Sequence, residues 1–283
     1  MPWLESTKRL LCRWFTSIPF FILLGLILGA ALAIPAIPRP KIATIPISGP
    51  LLEQDFTDNI VKALISARDD NSVKAVILKI DSPGGYVITS EQIYLEARRL
   101  QQKKPVVTLV QTIAASGGYH VAVAADFIYA MPTSSVGSVG AFSSLPSPEI
   151  LNEATLSTGL FKATGGSKRR AIAVLEMIRQ QFVSVVMSHR GDRLKMSEEK
   201  LSQAELYTGT EALTYGLIDA IGTTTDAAKK AAEMAGIINY ELVDVYIPRP
   251  LSFYLFFGSA DLAQLKAQTG NVPVYYYLHF ESE

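Results

Sequence analysis

Ser116 stands in Ala114-Ala115-Ser116-Gly117-Gly118-Tyr119, after the apolar run Pro105-Val106-Val107-Thr108-Leu109-Val110 and before a small-residue stretch, residues 121–125, that reads as a helix. A hydroxyl at a strand-to-helix junction lies beside N–H groups that lack helical partners and at the positive end of the helix dipole. That arrangement suits a developing oxyanion. Ser-Gly-Gly is equally an ordinary turn and helix-cap sequence, so the reading depends on what stands around it. A second glycine turn, Asp81-Ser82-Pro83-Gly84-Gly85, follows another buried-looking strand, residues 73–80. Two successive strand, glycine-turn, helix units bring their turns to one edge of a parallel sheet, where ligands bind. Asp81 is expected to cap its own turn.

A nucleophilic serine needs a base, and the chain has three histidines. His120 follows Ser116 by four residues on the same expected helix, a placement that favours packing over proton transfer. His189 sits beside Arg190-Gly191 near the end of a later amphipathic helix, and His279 lies in the tail. Neither has an acidic partner pattern, so a Ser-His-Asp triad has no support. The other option is a lysine whose burial lowers its pKa from about 10.4 toward neutrality. Lys168, in Thr164-Gly165-Gly166-Ser167-Lys168-Arg169-Arg170, is available, although this stretch by itself reads as a solvated basic loop.

The elements that must position these groups alternate. Residues 41–47 form a first strand, residues 56–67 a helix, residues 73–80 the next strand, and a helix begins near Ile88 with Thr89 or Ser90 as its cap. Such alternation makes an α/β fold with a parallel sheet and right-handed crossovers. Leu175, Ile178, Phe182 and Val185 place an apolar stripe on a helix over residues 171–189. A helix begins after Ser197 and a last one covers residues 227–234. The aromatic runs 251–257 and 274–278 are too short to span a bilayer and are expected to pack on the domain or on a neighbour.

Composition adds boundaries. The 283 residues suit one domain with appendages, the formal net charge is zero, and one cysteine, Cys12, excludes an intrachain disulfide. Nothing calls for nucleic acid, a metal or a cofactor. Between Arg13 and Arg39 there is no charge, and residues 18–37 are almost wholly apolar, enough for one membrane span. Lys8, Arg9 and Arg13 before it place the N-terminus in the cytoplasm and the remainder outside. Ala31-Leu32-Ala33 offers a competing reading as a signal-peptide cleavage site. Five regions follow: a cytoplasmic segment (1–17), an anchor (18–37), a proline-rich spacer (38–44), a catalytic domain (45–245) and an aromatic tail (246–283).

Asp81-Ser82-Pro83-Gly84-Gly85, Ala115-Ser116-Gly117-Gly118-Tyr119, Pro132-Thr133-Ser134-Ser135-Val136-Gly137-Ser138-Val139-Gly140 and Tyr207-Thr208-Gly209-Thr210-Glu211-Ala212-Leu213-Thr214-Tyr215-Gly216-Leu217-Ile218-Asp219 together resemble the signal peptide peptidase A (SppA) family. These are membrane-anchored Ser-Lys serine peptidases with a crotonase-like fold, a ββα superhelix shared with the Clp protease. The resemblance implies Ser116 as nucleophile, Lys168 as general base, and the N–H groups of Gly85 and Gly117 as the oxyanion hole. It also implies a cyclic homo-oligomer whose sites are shared between subunits, and leftover signal peptides or other hydrophobic peptides as substrates. Thr164 stands where the family's lysine segment has serine, and Lys162 is a second candidate base. The chain departs from Clp peptidases in having no histidine over residues 126–142, and from α/β-hydrolases in having Ala114 where Gly-x-Ser-x-Gly needs glycine. Crotonase-fold hydratases usually set glutamates over a thioester, and neither glycine turn carries one. The alternative function is a catalytically inactive, membrane-tethered oligomeric scaffold of the same fold.

Overall fold

The computed structural model describes residues 18–33, 38–144, 158–159, 161–162, 165–248 and 275–278. The chain forms two units, Met1–Arg39 and Pro40–Glu283. In the first, helix α1 (Ile18–Ala33) has no charged residue, and Phe21, Leu26 and Leu28 on it are exposed. Its 16 residues reach about 24 Å at 1.5 Å per residue. The flanking Lys8, Arg9, Cys12, Arg13 and Pro35 lie outside the described residues.

The second unit is built on an eight-stranded sheet. Strands β1 (Lys41–Ser48), β2 (Val73–Ser82) and β4 (Val106–Ala115) pair in parallel, with Ile45 opposite Leu78 and Leu78 opposite Thr108. Their near-continuous apolar character is what burial on both faces requires. One face of β2 presents Val76, Leu78 and Ile80 to the larger core. That core is completed by Ile60 and Leu64 of α2 (Gln54–Asp69) and Ile93, Ala97 and Leu100 of α3 (Val87–Gln101). The other face presents Ala75 and Ile77 to α8 (Thr224–Met234), whose alanines 227, 228, 231 and 232 let the helix lie close to the sheet.

Short strands complete the edge beyond β4. Parallel β5 (Phe127–Ala130) and β6 (Ser135–Gly137) pair successive parts of β4, and β8 (Leu206–Thr208) runs antiparallel to β6. Strand β9 (Ala220–Ile221) extends the sheet from β5, and β10 (Glu241–Asp244) extends it from β1. A separate three-stranded sheet joins β3 (Gly84–Tyr86), β11 (Tyr275–Leu278) and β7 (Phe142–Ser143) in that order.

Three expected boundaries differ. Helix α3 starts at Val87 straight from β3, so Thr89 and Ser90 are not caps; their hydroxyls donate to Leu51 O at 2.6 Å and Tyr86 O at 3.0 Å. The helix after Ser116 is α4 (Gly117–Ala122), which begins four residues earlier than the expected 121–125. Lys168 belongs to the first turn of α5 (Lys168–Arg190) rather than to a preceding loop, because Ser167 Oγ accepts the Arg170 N–H and starts the helix there. Helix α5 is long and apolar in part, but Ile178, Phe182, Val183 and Val186 make its buried face, the property of an amphipathic core helix.

Candidate functional site

The two glycine turns meet as their strands dictate. Parallel pairing sets Ser82 at the end of β2 opposite Ala114 of β4, so both chains leave the sheet at its C-terminal edge. Gly118 lies directly on Ser82: a Cβ there would stand 2.5 Å from the Ser82 carbonyl oxygen, so a side chain would force the turns apart. In the other turn, a Cβ on Gly85 would stand 2.1 Å from the Leu51 carbonyl oxygen. The first turn is braced by Ser82, whose Oγ donates to Gly49 O at 2.7 Å and accepts the Gly84 N–H at 3.2 Å. Asp81 is not the cap. Its Oδ1 is buried with no hydrogen-bond partner among the described residues.

Ser116 joins β4 to α4. Its N–H donates to Gly137 O at 2.8 Å, continuing the pairing of β4 with β6, and its carbonyl accepts the His120 N–H at 2.9 Å. Pulled from both sides, the residue takes φ 53° and ψ −120° and is 2 % exposed. A positive φ is uncommon for serine, and this ψ lies outside the left-handed helical well, so the geometry costs of order 1–3 kcal/mol. Gly117, the first helical residue, has an N–H with no acceptor within the helix. In β3, the Gly84 carbonyl accepts from Leu51 N at 2.8 Å and the Tyr86 N–H donates to Leu51 O at 2.9 Å. Groups along a strand alternate in direction, so the Gly85 N–H points away from Leu51.

Two histidines, His120 and His189, pack against Tyr94. His120 is 3 % exposed, stacked on Tyr94 at 4.6 Å and edge-on to Phe182 at 5.0 Å. Burial, assisted by His189, pushes its imidazole down to about 3. His189 meets the Tyr94 hydroxyl at 2.8 Å, and burial together with Arg98, Arg193 and Arg190 holds it at about 4. Both rings thus pack on one tyrosine, a cluster no sequence spacing announced. His279 lies outside the described residues.

Lys168 is placed differently from Ser116. It is exposed, as are Arg169, Arg170 and Lys162, and its side chain makes no hydrogen bond or ion pair among the described residues. Thr164 lies outside the described residues.

Sequence reasoning missed the brace behind the serine. Arg190, 2 % exposed, holds Asp219 with two hydrogen bonds, at 3.0 and 2.8 Å, and donates to Gly216 O at 2.7 Å. Asp219 also accepts from Arg193 at 2.9 Å and from the Ile128 N–H at 2.8 Å. Tyr119, three residues after Ser116, donates to Leu217 O at 2.7 Å. Asp219, Leu217 and Gly216 all belong to the Tyr207–Asp219 motif, the one available signal.

With this geometry in place, the comparisons with known proteins are specific. Residues 98–237 match the profile of Peptidase family S49, and residues 41–137 match that of Clp protease. A putative protease of Methanocaldococcus jannaschii is 33% identical over 217 residues, 70% of this chain and 70% of its own length. Protease 4 of Haemophilus influenzae is 32% identical over 213 residues, 69% of this chain and 35% of its own length. The chloroplastic serine protease SPPA of Arabidopsis thaliana is 29% identical over 211 residues, 31% of its length. The chain therefore spans about a third of these last two relatives. The α/β sheet described above is accordingly a Clp-protease-like domain.

Proposed function

Because the chain belongs to peptidase family S49, the SppA family of serine peptidases, we propose that it is a membrane-anchored endopeptidase with a Ser116–Lys168 dyad. The observation that carries this reading is the backbone of Ser116, strained at φ 53° at the end of a buried strand and held there from both sides. Strain of this kind persists where the surrounding structure over-determines it, and it collects at active sites. Ser116 Oγ attacks the scissile carbonyl while Lys168 takes its proton. The oxyanion is held by the N–H groups of Gly85 and Gly117. The lysine ammonium then protonates the leaving amine, and water, deprotonated by the lysine, releases the acyl group.

The same reading asks a second subunit to supply the lysine. Lys168 is exposed whereas Ser116 is buried, and the helix carrying Lys168 also exposes Ile172 (56%) and Met177 (49%). Met177 lines one groove with Leu95 of α3, an apolar surface suited to a further copy, so the enzyme is a cyclic homo-oligomer with sites shared between neighbours. Helix α1, with the apolar residues that continue to position 37, is the anchor. It puts the N-terminus in the cytoplasm and the peptidase outside, facing cleaved signal peptides or other hydrophobic peptides near the membrane.

Reaction with a fluorophosphonate tests the nucleophile. Ser116 becomes modified in the active enzyme, and a chain that stays unmodified is the inactive scaffold. Mixing inactive Ser116→Ala with inactive Lys168→Ala tests sharing. Co-assembled mixtures regain activity, and a mixture that stays dead despite proven co-assembly would mean that each chain builds its own site.

A further inference from the structure

Strand β1 is covered along only half of its outer edge. Strand β10 pairs it from Lys41 to Thr44, and Val245 N–H donates to Thr44 O at 2.9 Å as the chain leaves. Beyond that point Pro46 has no N–H to offer, as an uncovered edge allows. A cavity of about 500 Å³ opens there, with Thr44, Pro46 and Ser48 along its floor, and none of Ser116, Lys168, Gly85 and Gly117 lines it. Residues opposite one another in adjacent strands face the same side of a sheet, so Lys79, opposite Pro46, enters the cavity from β2. Two residues earlier the same row is Ala75 and Ile77, covered by α8; past them it turns polar. The Lys79 side chain is 23% exposed, and its one ion pair among the described residues is with Asp244 at 3.8 Å, a carboxylate that is itself 80% exposed. A pair so long and so open contributes little, which leaves both charges available to a ligand. Buried Phe56 and Ile247 give the cavity an apolar wall.

We propose that this cavity binds a free apolar α-amino acid of about the size of leucine, and the proposal does not depend on the peptidase reading. A simple anion drawn to Lys79 is repelled by Asp244, and a simple cation drawn to Asp244 is repelled by Lys79, whereas a zwitterion meets both. In an α-amino acid the two charges hang on one carbon, which suits a lysine and an aspartate 3.8 Å apart. A dipeptide sets them up to about 3.5 Å further apart and matches less well. The ligand carboxylate accepts from the Lys79 ammonium and from the Ser48 hydroxyl, its ammonium donates to Asp244, and its side chain lies on Phe56 and Ile247. Backbone direction adds a donor: Thr44 O faces β10, so by alternation along β1 the Ser48 N–H faces the uncovered edge. A concave space with an apolar wall and a few converging polar groups is the usual form of a small-molecule site.

Isothermal calorimetry of the full-length protein in detergent micelles tests this with three probes: L-leucine, L-leucinamide, which lacks the carboxylate, and N-acetyl-L-leucine, which lacks the ammonium. L-Leucine should bind on the order of tenfold more tightly than either analogue. Lys79→Met should remove the preference over leucinamide, and Asp244→Asn the preference over N-acetyl-leucine, while Ser116→Ala leaves all three affinities as they were. Absence of leucine binding at millimolar concentration overturns the proposal, and so does a preference that survives either substitution at its own charge. Loss of leucine binding in Ser116→Ala would put the ligand at the catalytic serine and overturn it equally. Because the Asp244 side chain is 80% exposed, Asp244→Asn leaves the core untouched and decides the matter even if Lys79→Met fails to fold.

Discussion

The serine side and the lysine side of this molecule are built on opposite principles. Ser116 is buried, strained and held between a parallel strand and a helix start, all within one chain. Lys168 stands exposed in the first turn of a helix with nothing described around it. A strained backbone needs many covalent and packed neighbours to hold it, which only the local chain can supply. An exposed side chain avoids the cost of desolvation and needs no such framework.

The largest effect that sharpens this contrast is catalytic. Ser116→Ala and Lys168→Ala should each lower kcat/KM for an extended peptide by about 10³-fold or more without changing the circular dichroism. A dead Lys162→Ala beside an active Lys168→Ala would move the base six residues and break the contrast as drawn. Next comes the brace beneath the serine. Asp219→Asn strips the buried Arg190 guanidinium of its counter-charge and should cost about 3–5 kcal/mol in urea unfolding of residues 38–283.

A third effect is pH dependence. The His120 pKa is lower folded than unfolded, so the unfolded chain binds the extra proton and stability falls as pH drops below about 6.5. Between pH 6.5 and 4 this residue should account for about 3 kcal/mol. His120→Phe, which keeps an aromatic ring between Tyr94 and Phe182, should flatten that part of the profile; an unchanged slope would remove His120 as its source. The smallest effect concerns strain. Ser116→Gly should raise stability by about 1 kcal/mol while abolishing activity, because glycine adopts the positive φ freely but loosens the unfolded chain. A loss of stability would show that Ser116 is not strained.

What the sequence made legible follows from how locally each feature is encoded. Strands β2 and β4 could be read because full burial writes itself as a run of branched apolar residues. The meeting of the two glycine turns followed from strand-helix alternation alone. Helix starts were less legible: Gly165-Gly166 carried the expected loop too far, and the cap at Ser167 depends on a hydrogen bond to Arg170 rather than on composition. Strands of two or three residues, such as β6 and β8, are too short to show a period of two. The Arg190–Asp219 pair, 29 positions apart, and the gathering of His120 and His189 on Tyr94 are tertiary facts that no local window contains.

Helix α5 also works as a rigid arm. Its far end is bolted down at Arg190 by Asp219, and Phe182 is wedged against His120. From Phe182 to Lys168 the helix runs 14 residues, about 21 Å, without interruption. A tilt of about 5° about Phe182 therefore swings the first turn, with Lys168, by about 2 Å. The ion pair at one end of the helix thus sets the direction in which its first turn points.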